Sequence, residues 1–166
     1  MGYSASFERL PVSACFDLKG PEGALSKWIG AGAVPEFPEV PNRLSLANGM
    51  WLGHVGPQNW LLQADIDRED DLAAALRPSE APPEVSIVRI SDTMATFRIT
   101  GDDAVHVMAI GCPLDLHESV FAEDAVTFTE FFGQKALVRR CEGGFDVSIE
   151  TSFGDMIEDY LTRALR

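Results

Sequence analysis

Apolar positions along the chain change period from helical to alternating and back, and the changes outline its elements. The clearest helical stretch closes the sequence: Phe153, Met156, Ile157, Tyr160, Leu161 and Ala164 recur at i, i+3, i+4, i+7, i+8 and i+11. Ser152 is placed to cap this helix, with Asp155 completing a capping box. A second helix is predicted behind Pro21, with Ala24, Leu25, Trp28 and Ile29 on one face. A third, over 68–77, buries Leu72, Ala73 and Leu76. A fourth follows Gly101, with Asp102 and Asp103 in its first turn and Val105, Met108 and Ala109 inward. Between them, 50–55 and 60–63 alternate as a hairpin, and 126–131, 136–140 and 145–149 as a meander.

These elements occur twice in the same order. Phe16-Asp17-Leu18-Lys19-Gly20 lines up with Phe97-Arg98-Ile99-Thr100-Gly101, and an Ile-Gly pair follows each glycine, Ile29-Gly30 and Ile110-Gly111. Trp51 to Trp60 matches Ala136 to Phe145, each a strand, a glycine-containing turn and a strand. The expected fold is therefore α+β: two similar tandem units, each a mostly antiparallel sheet covered by helices. The units are placed at 10–77 and 85–166, joined by the proline-rich connector 78–84, whose prolines cannot continue a helix. A second proline-rich stretch, 34–41, is expected to be extended.

Charge narrows the function. Thirteen Lys and Arg against 26 Asp and Glu give a formal net charge of −13 over 166 residues, which repels phosphate backbones and argues against nucleic-acid binding. An acidic surface can serve solubility or meet a basic partner. No apolar run approaches the roughly 20 residues needed to span a bilayer. The first nine residues resemble no secretory signal, and a loose Met-Gly-x-x-x-Ser match is the sole hint of a lipid anchor. Cys15, Cys112 and Cys141 form no CxxC pair, so a reduced, cytoplasmic setting is expected.

Catalytic chemistry is not evident. His54, His106 and His117 are far apart, and Cys112 with His117 would supply only two metal ligands. Cys15 and Cys141 fall on predicted strands, and Cys112 lies beyond a helix C-terminus, where the dipole disfavours a thiolate. There is no GxGxxG and no GxxxxGK[ST], and Gly30-Ala31-Gly32 follows a helix instead of opening one. The acidic run 65–71 lacks the glycine and terminal glutamate of a calcium loop.

Two segments carry a resemblance. Trp51-Leu52-Gly53-His54-Val55-Gly56-Pro57-Gln58-Asn59-Trp60-Leu61-Leu62 resembles the W-x-G-P-x-x-W-L-L hairpin of the folate-binding aminomethyltransferase (glycine-cleavage T-protein) superfamily, with extra residues before the Gly56-Pro57 turn. Gly111-Cys112-Pro113-Leu114-Asp115-Leu116-His117, then Phe121, resembles the G-C-P-L-D-L-H-x-x-x-F segment of sarcosine oxidase gamma subunits. The closing Ser152-Phe153 helix is similar to that family's last helix, so the resemblance runs from about residue 10 to the end.

The resemblance implies an aminomethyltransferase-like fold and a non-catalytic accessory subunit of a heterotetramer that oxidises sarcosine to glycine. It also implies alpha, beta and delta partner subunits, chiefly alpha. FAD, FMN, NAD, tetrahydrofolate and zinc would reside in those partners, with no catalytic, cofactor or metal residue in this chain. Leu116, His117, Phe121 and Trp51 are the expected subunit contacts. In an extended segment Leu114 and Leu116 share one side, with Asp115 and His117 opposite, so the leucines either cover this chain's own core or meet the partner. Two alternatives remain: a stand-alone folate binder, for which Asp92, Glu130 and Asp146 are equivalent carboxylate candidates, and an accessory subunit of a related N-methyl amine oxidase or demethylase. An orphaned interface would promote self-association of the isolated chain.

Overall fold

The computed structural model describes residues 2–166. Ten strands and four helices are ordered as β1 (Ser6–Arg9), β2 (Ser13–Lys19), α1 (Glu22–Ile29), β3 (Leu44–Ala47), β4 (Met50–Gly56), β5 (Asn59–Asp65), α2 (Glu69–Leu76), β6 (Ser86–Arg89), β7 (Met94–Thr100), α3 (Ala104–Gly111), β8 (Val126–Phe131), β9 (Gln134–Cys141), β10 (Gly144–Glu150) and α4 (Gly154–Ala164). Short 3-10 turns, Ile66–Arg68 and Thr151–Phe153, lead into α2 and α4.

The strands form two five-stranded antiparallel sheets, β6-β2-β5-β4-β3 and β1-β7-β10-β9-β8. The orders are superimposable, with β2, β3, β4, β5 and β6 standing where β7, β8, β9, β10 and β1 stand in the second sheet. Each sheet thus takes its edge strand from outside its own repeat. Ser6–Arg9, ahead of the first repeat, pairs with β7, and Ser86–Arg89, at the head of the second, pairs with β2. The compact units are accordingly Val12–Asp92, here the first unit, and the segment up to Pro11 together with Thr93–Arg166, the second. They differ from the 10–77 and 85–166 of the sequence reading because the 78–84 connector marks a change in composition. Backbone pairing, which carries Ser86–Arg89 back to the first sheet, sets the true boundary.

Gly20 and Gly101 show the duplication at atomic detail. Both have positive φ, +134° and +121°, where an added Cβ would lie 2.4 Å from a backbone oxygen of the crossing strand's lead-in, Glu84 and Ser4 respectively. Only glycine admits that approach.

In each unit one sheet face packs on the helices. The first core joins Phe16, Leu18, Leu52, Trp60 and Leu62 to Leu25 and Ile29 of α1 and Leu72 and Leu76 of α2. The second joins Phe97, Ile99, Phe145, Val147 and Ile149 to Val107 and Met108 of α3 and Ile157 and Leu161 of α4. Trp28 ties α1 to α2: its Nε1 donates to the Leu76 carbonyl at 2.9 Å, and the Arg77 guanidinium lies 4.4 Å over its ring.

Two expectations are corrected. Helix α3 turns Ala104, Val107 and Met108 inward and leaves Val105 and Ala109 exposed. The helix is apolar nearly all round, so hydrophobic period could not fix its rotation, and Asp103 precedes the helix instead of lying in its first turn. Ser152 does not cap α4. It sits in the 3-10 turn and donates to Glu150 Oε1 at 2.8 Å, while α4 begins at Gly154 with no side-chain cap.

Candidate functional site

The segment 111–121 is built from α3 outward. The Cys112 amide closes the helix on the Met108 carbonyl at 2.8 Å, its backbone then turns extended, and Pro113 prevents another turn. Leu114 and Leu116 point into the second unit's core, Leu116 only 3% exposed, so the own-core alternative holds for both. Asp115 and His117 face outward. Asp115 Oδ1 accepts the His117 amide at 2.9 Å, and the His117 carbonyl accepts the amides of Val120 and Phe121 at 2.9 and 2.8 Å. This local turn swings Phe121 back into the core, where it is 7% exposed.

Arg140 of β9 fixes the segment. Its Nε donates to the Phe121 carbonyl at 2.6 Å and its Nη2 to the Leu116 carbonyl. Its guanidinium lies 4.8 Å from the Phe145 ring centroid. Arg139, the adjacent residue, points to the other face of the sheet because side chains alternate along a strand. There it meets Asp146. Arg98 grips Asp146 as a fork, Nε to Oδ1 at 2.8 Å and Nη2 to Oδ2 at 3.0 Å, and Arg139 Nη2 bonds Oδ2. The three side chains lie in one cross-strand row that continues to Glu8 on β1. Burial alone would raise the Asp146 pKa, but the Arg98 hydrogen bonds and the charge of Arg139 outweigh it and hold the carboxyl below its usual range.

Trp51 is 8% exposed, on the sheet face turned away from the helices of the first unit, and Trp60 is buried in that unit's core. His54 stacks on Trp60 at 4.9 Å, and Phe37 from the proline-rich stretch meets it edge-on at 5.3 Å. Of the four expected subunit contacts, Leu116, Phe121 and Trp51 are therefore interior, and His117 is the accessible one. No local sequence signal marked Arg140, beyond the Arg139-Arg140 pair being on a strand and so divided between its faces.

Asp115, His117 and Ser119 are the residue types of a hydrolytic triad within five positions, with Ser119 Oγ 2.8 Å from His117 Nδ1. Asp115 binds the His117 backbone amide, however, and not its ring, and Ser119 N–H also donates to Nδ1 at 3.2 Å, so the imidazole is a turn element. The thiols are suppressed. Burial pushes the Cys15 pKa up to about 12 and raises that of Cys112. Burial and then the charge of Asp146 raise that of Cys141. Among the described residues, no group of three or more His, Cys, Asp and Glu could hold a metal ion, and no helix is long and apolar enough to cross a membrane.

The three carboxylates considered for a pterin ring stand in different settings. Asp146 is engaged by two arginines, and Asp92 and Glu130 are exposed.

Comparison with known proteins identifies the fold. No family model matches the sequence, and no curated protein does. Among solved structures, a chain of the heterotetrameric sarcosine oxidase from Corynebacterium sp. U-96, in complex with pyrrole 2-carboxylate, superimposes with a TM-score of 0.84 at 19% identity, over 97% of this chain and 83% of that one. The glycine cleavage system aminomethyltransferase T from Bartonella henselae superimposes with a TM-score of 0.69 at 14% identity, over 95% of this chain and 45% of that one. The chain has the aminomethyltransferase-like fold.

Proposed function

We propose that this chain is the accessory, non-catalytic gamma subunit of a heterotetrameric sarcosine oxidase, supporting the assembly that oxidatively demethylates sarcosine to glycine. The observation that carries the proposal is the match in extent. This chain aligns over nearly all its length with most of one chain of such an oxidase, but with less than half of the aminomethyltransferase. A small chain of similar size within a multisubunit enzyme is what an accessory subunit would be. The 111–121 segment supports the same reading, as do three thiols with raised pKa values and a histidine–serine pair bound up in a turn.

On this proposal the partners are the alpha, beta and delta subunits, chiefly alpha, in the cytoplasm. FAD, FMN, NAD, tetrahydrofolate and zinc reside in them. The chain contributes a rigid shape: Arg140 sets the 111–121 loop, and His117 is its outward-facing contact. The test is purification of the tagged chain from its native host, with an absorbance spectrum and oxygen uptake on sarcosine. Larger subunits with flavin absorbance and sarcosine-dependent uptake support the proposal. Uptake on another N-methyl amine would reassign the substrate, and a lone colourless chain that binds tetrahydrofolate would overturn the proposal.

A further inference from the structure

The two hairpins β3–β4 and β8–β9 occupy equivalent places in the two sheets and have the same two-residue turn. In the first unit the turn is Asn48-Gly49, with φ of +52° and +73°. Asparagine and glycine are the residues this mirror-image turn prefers. In the second unit it is Phe132-Gly133, with φ of +48° and +77°. A bulky aromatic is thus held in the left-handed region where the repeat uses asparagine. Such outliers persist where the side chain serves a purpose.

Phe132 is not needed to fill the core, because Phe131 beside it is the fully buried ring. Phe132 instead lies half-buried across the end of α3. Its amide donates to the Gly111 carbonyl at 2.8 Å, and its ring packs so closely on Gly111 that a Cβ there would meet it at 2.8 Å. On its other side Tyr160 of α4 stands 5.2 Å away, centroid to centroid. The outer face of α3 carries Val105, 41% exposed, Ala109 and Ile110, 47% exposed, together with exposed His106, whose Nδ1 lies 3.1 Å from Asp103 Oδ1. Val105, Ala109 and Ile110 are the exposed apolar side chains of α3, and the Phe132–Tyr160 pair stands at its C-terminal end, on Gly111.

Carboxylates outnumber cations around these residues, where His106 is already paired with Asp103. Exposed carboxylates flank them: Asp102 ahead of α3, Asp115 and Glu118 beyond it, Glu130 before the turn and Asp159 beside Tyr160. The unit's cations are largely engaged: Arg9 with Asp155 and Glu158, Arg98 and Arg139 with Asp146, and Arg163 with Asp159. Arg140 serves carbonyls, and Lys135 lies opposite Glu130 over the Phe128 ring. We infer that this outer face of α3, with the Phe132–Tyr160 pair at its end, docks onto a larger protein subunit whose contact surface has an apolar centre rimmed by Lys and Arg. The inference rests on the accessory-subunit reading and adds the surface through which assembly occurs.

The experiment compares tagged wild type, Val105→Asp, Ile110→Asp and the control Leu46→Asp, each purified from the native host. All three side chains are exposed, so circular dichroism and melting should match wild type. Wild type and Leu46→Asp should retain a flavin-bearing larger chain, and the α3 variants should retain roughly tenfold less or worse. Hydrogen exchange on the wild-type complex should protect a segment of the larger chain that carries Lys and Arg. Full retention by both α3 variants overturns the surface and leaves the accessory reading standing. A wild-type chain that purifies alone overturns both. A wild-type homodimer that Ile110→Asp splits overturns the inference in favour of self-association.

Discussion

Arg140 donates from Nε to the carbonyl oxygen of Phe121 at 2.6 Å, across nineteen residues of sequence, and so ties the loop after α3 to β9. Its second bond, to the Leu116 carbonyl, holds the same loop at the other end of the turn. Replacing Arg140 by Met keeps an apolar stem over Phe145 but orphans both carbonyls. A loss of about 2–3 kcal/mol in unfolding free energy is expected, the scale of charged hydrogen bonds. Urea denaturation measures the loss, and the Val120 and Phe121 amides should exchange faster. Unchanged stability would show that the loop stands without its clamp.

Asp146 gives the protein an acid-sensitive contact. Its folded pKa lies below the unfolded value of about 3.9. Its stabilisation is therefore complete above the unfolded pKa and is lost as pH falls through the folded one. Asp146→Asn should lower the neutral plateau by roughly 2–3 kcal/mol, at the modest end for a broken buried pair because Arg98 is partly exposed. It should also flatten the fall in stability below about pH 4. Melting temperature against pH for the two proteins shows both effects.

Gly144 of β10 lies against Ile99 and Thr100 of β7. An added Cβ would lie 1.9 Å from the Ile99 carbonyl oxygen, so Gly144→Ala must push the strands apart. A cost of about 3 kcal/mol or more is expected, at the upper end for overpacking. Gly23 in α1 is the contrast, with nothing within 4 Å of its added Cβ. Gly23→Ala should stabilise by roughly 0.5 kcal/mol through helix propensity. Thermal melts of both variants test the pair.

The thiols should be slow. Cys15, with a pKa of about 12, and Cys112 and Cys141, both raised, hold little thiolate at neutral pH. Titration with a disulfide reagent at pH 7 should label the folded chain far more slowly than a free thiol, and all three cysteines promptly in urea. Rapid labelling of one cysteine in the folded chain would reopen thiol chemistry.

Phe132→Asn separates strain from packing. Asparagine relieves the left-handed turn by about 1 kcal/mol and forfeits the contacts of a half-buried ring. The net change should be within about 1 kcal/mol of wild type, well short of the 3–5 kcal/mol for truncating a core phenylalanine. Denaturant melts decide it.

Much of this architecture was legible in the chain. The paired strand ends at Gly20 and Gly101, the hairpin turns at Gly56-Pro57 and Glu142-Gly143, and the inward Ile157 and Leu161 of α4 are local patterns that formed as expected, while Tyr160 of the same stripe is exposed. The short edge strands Ser6–Arg9, Leu44–Ala47 and Ser86–Arg89 are four residues each, too few for alternation to stand out. The exchange of Ser6–Arg9 and Ser86–Arg89 between sheets is a matter of long-range pairing. The rotation of α3 was hidden by its near-uniform apolarity. At the candidate site, the alternation of Leu114, Asp115, Leu116 and His117 was readable. The clamp by Arg140 was not, since nothing local ties β9 to the loop, and the burial of Phe121 and Trp51 depends on tertiary packing.

As proposed, the chain works as one small part of a larger oxidase. Native mass spectrometry of the tagged chain, purified intact from its host at low salt, tests it most directly. One copy of this chain in an assembly with three other, different subunits, of which at least one carries flavin, is the expected result. A spectrum holding only the chain itself, as monomer or homo-oligomer, would contradict it.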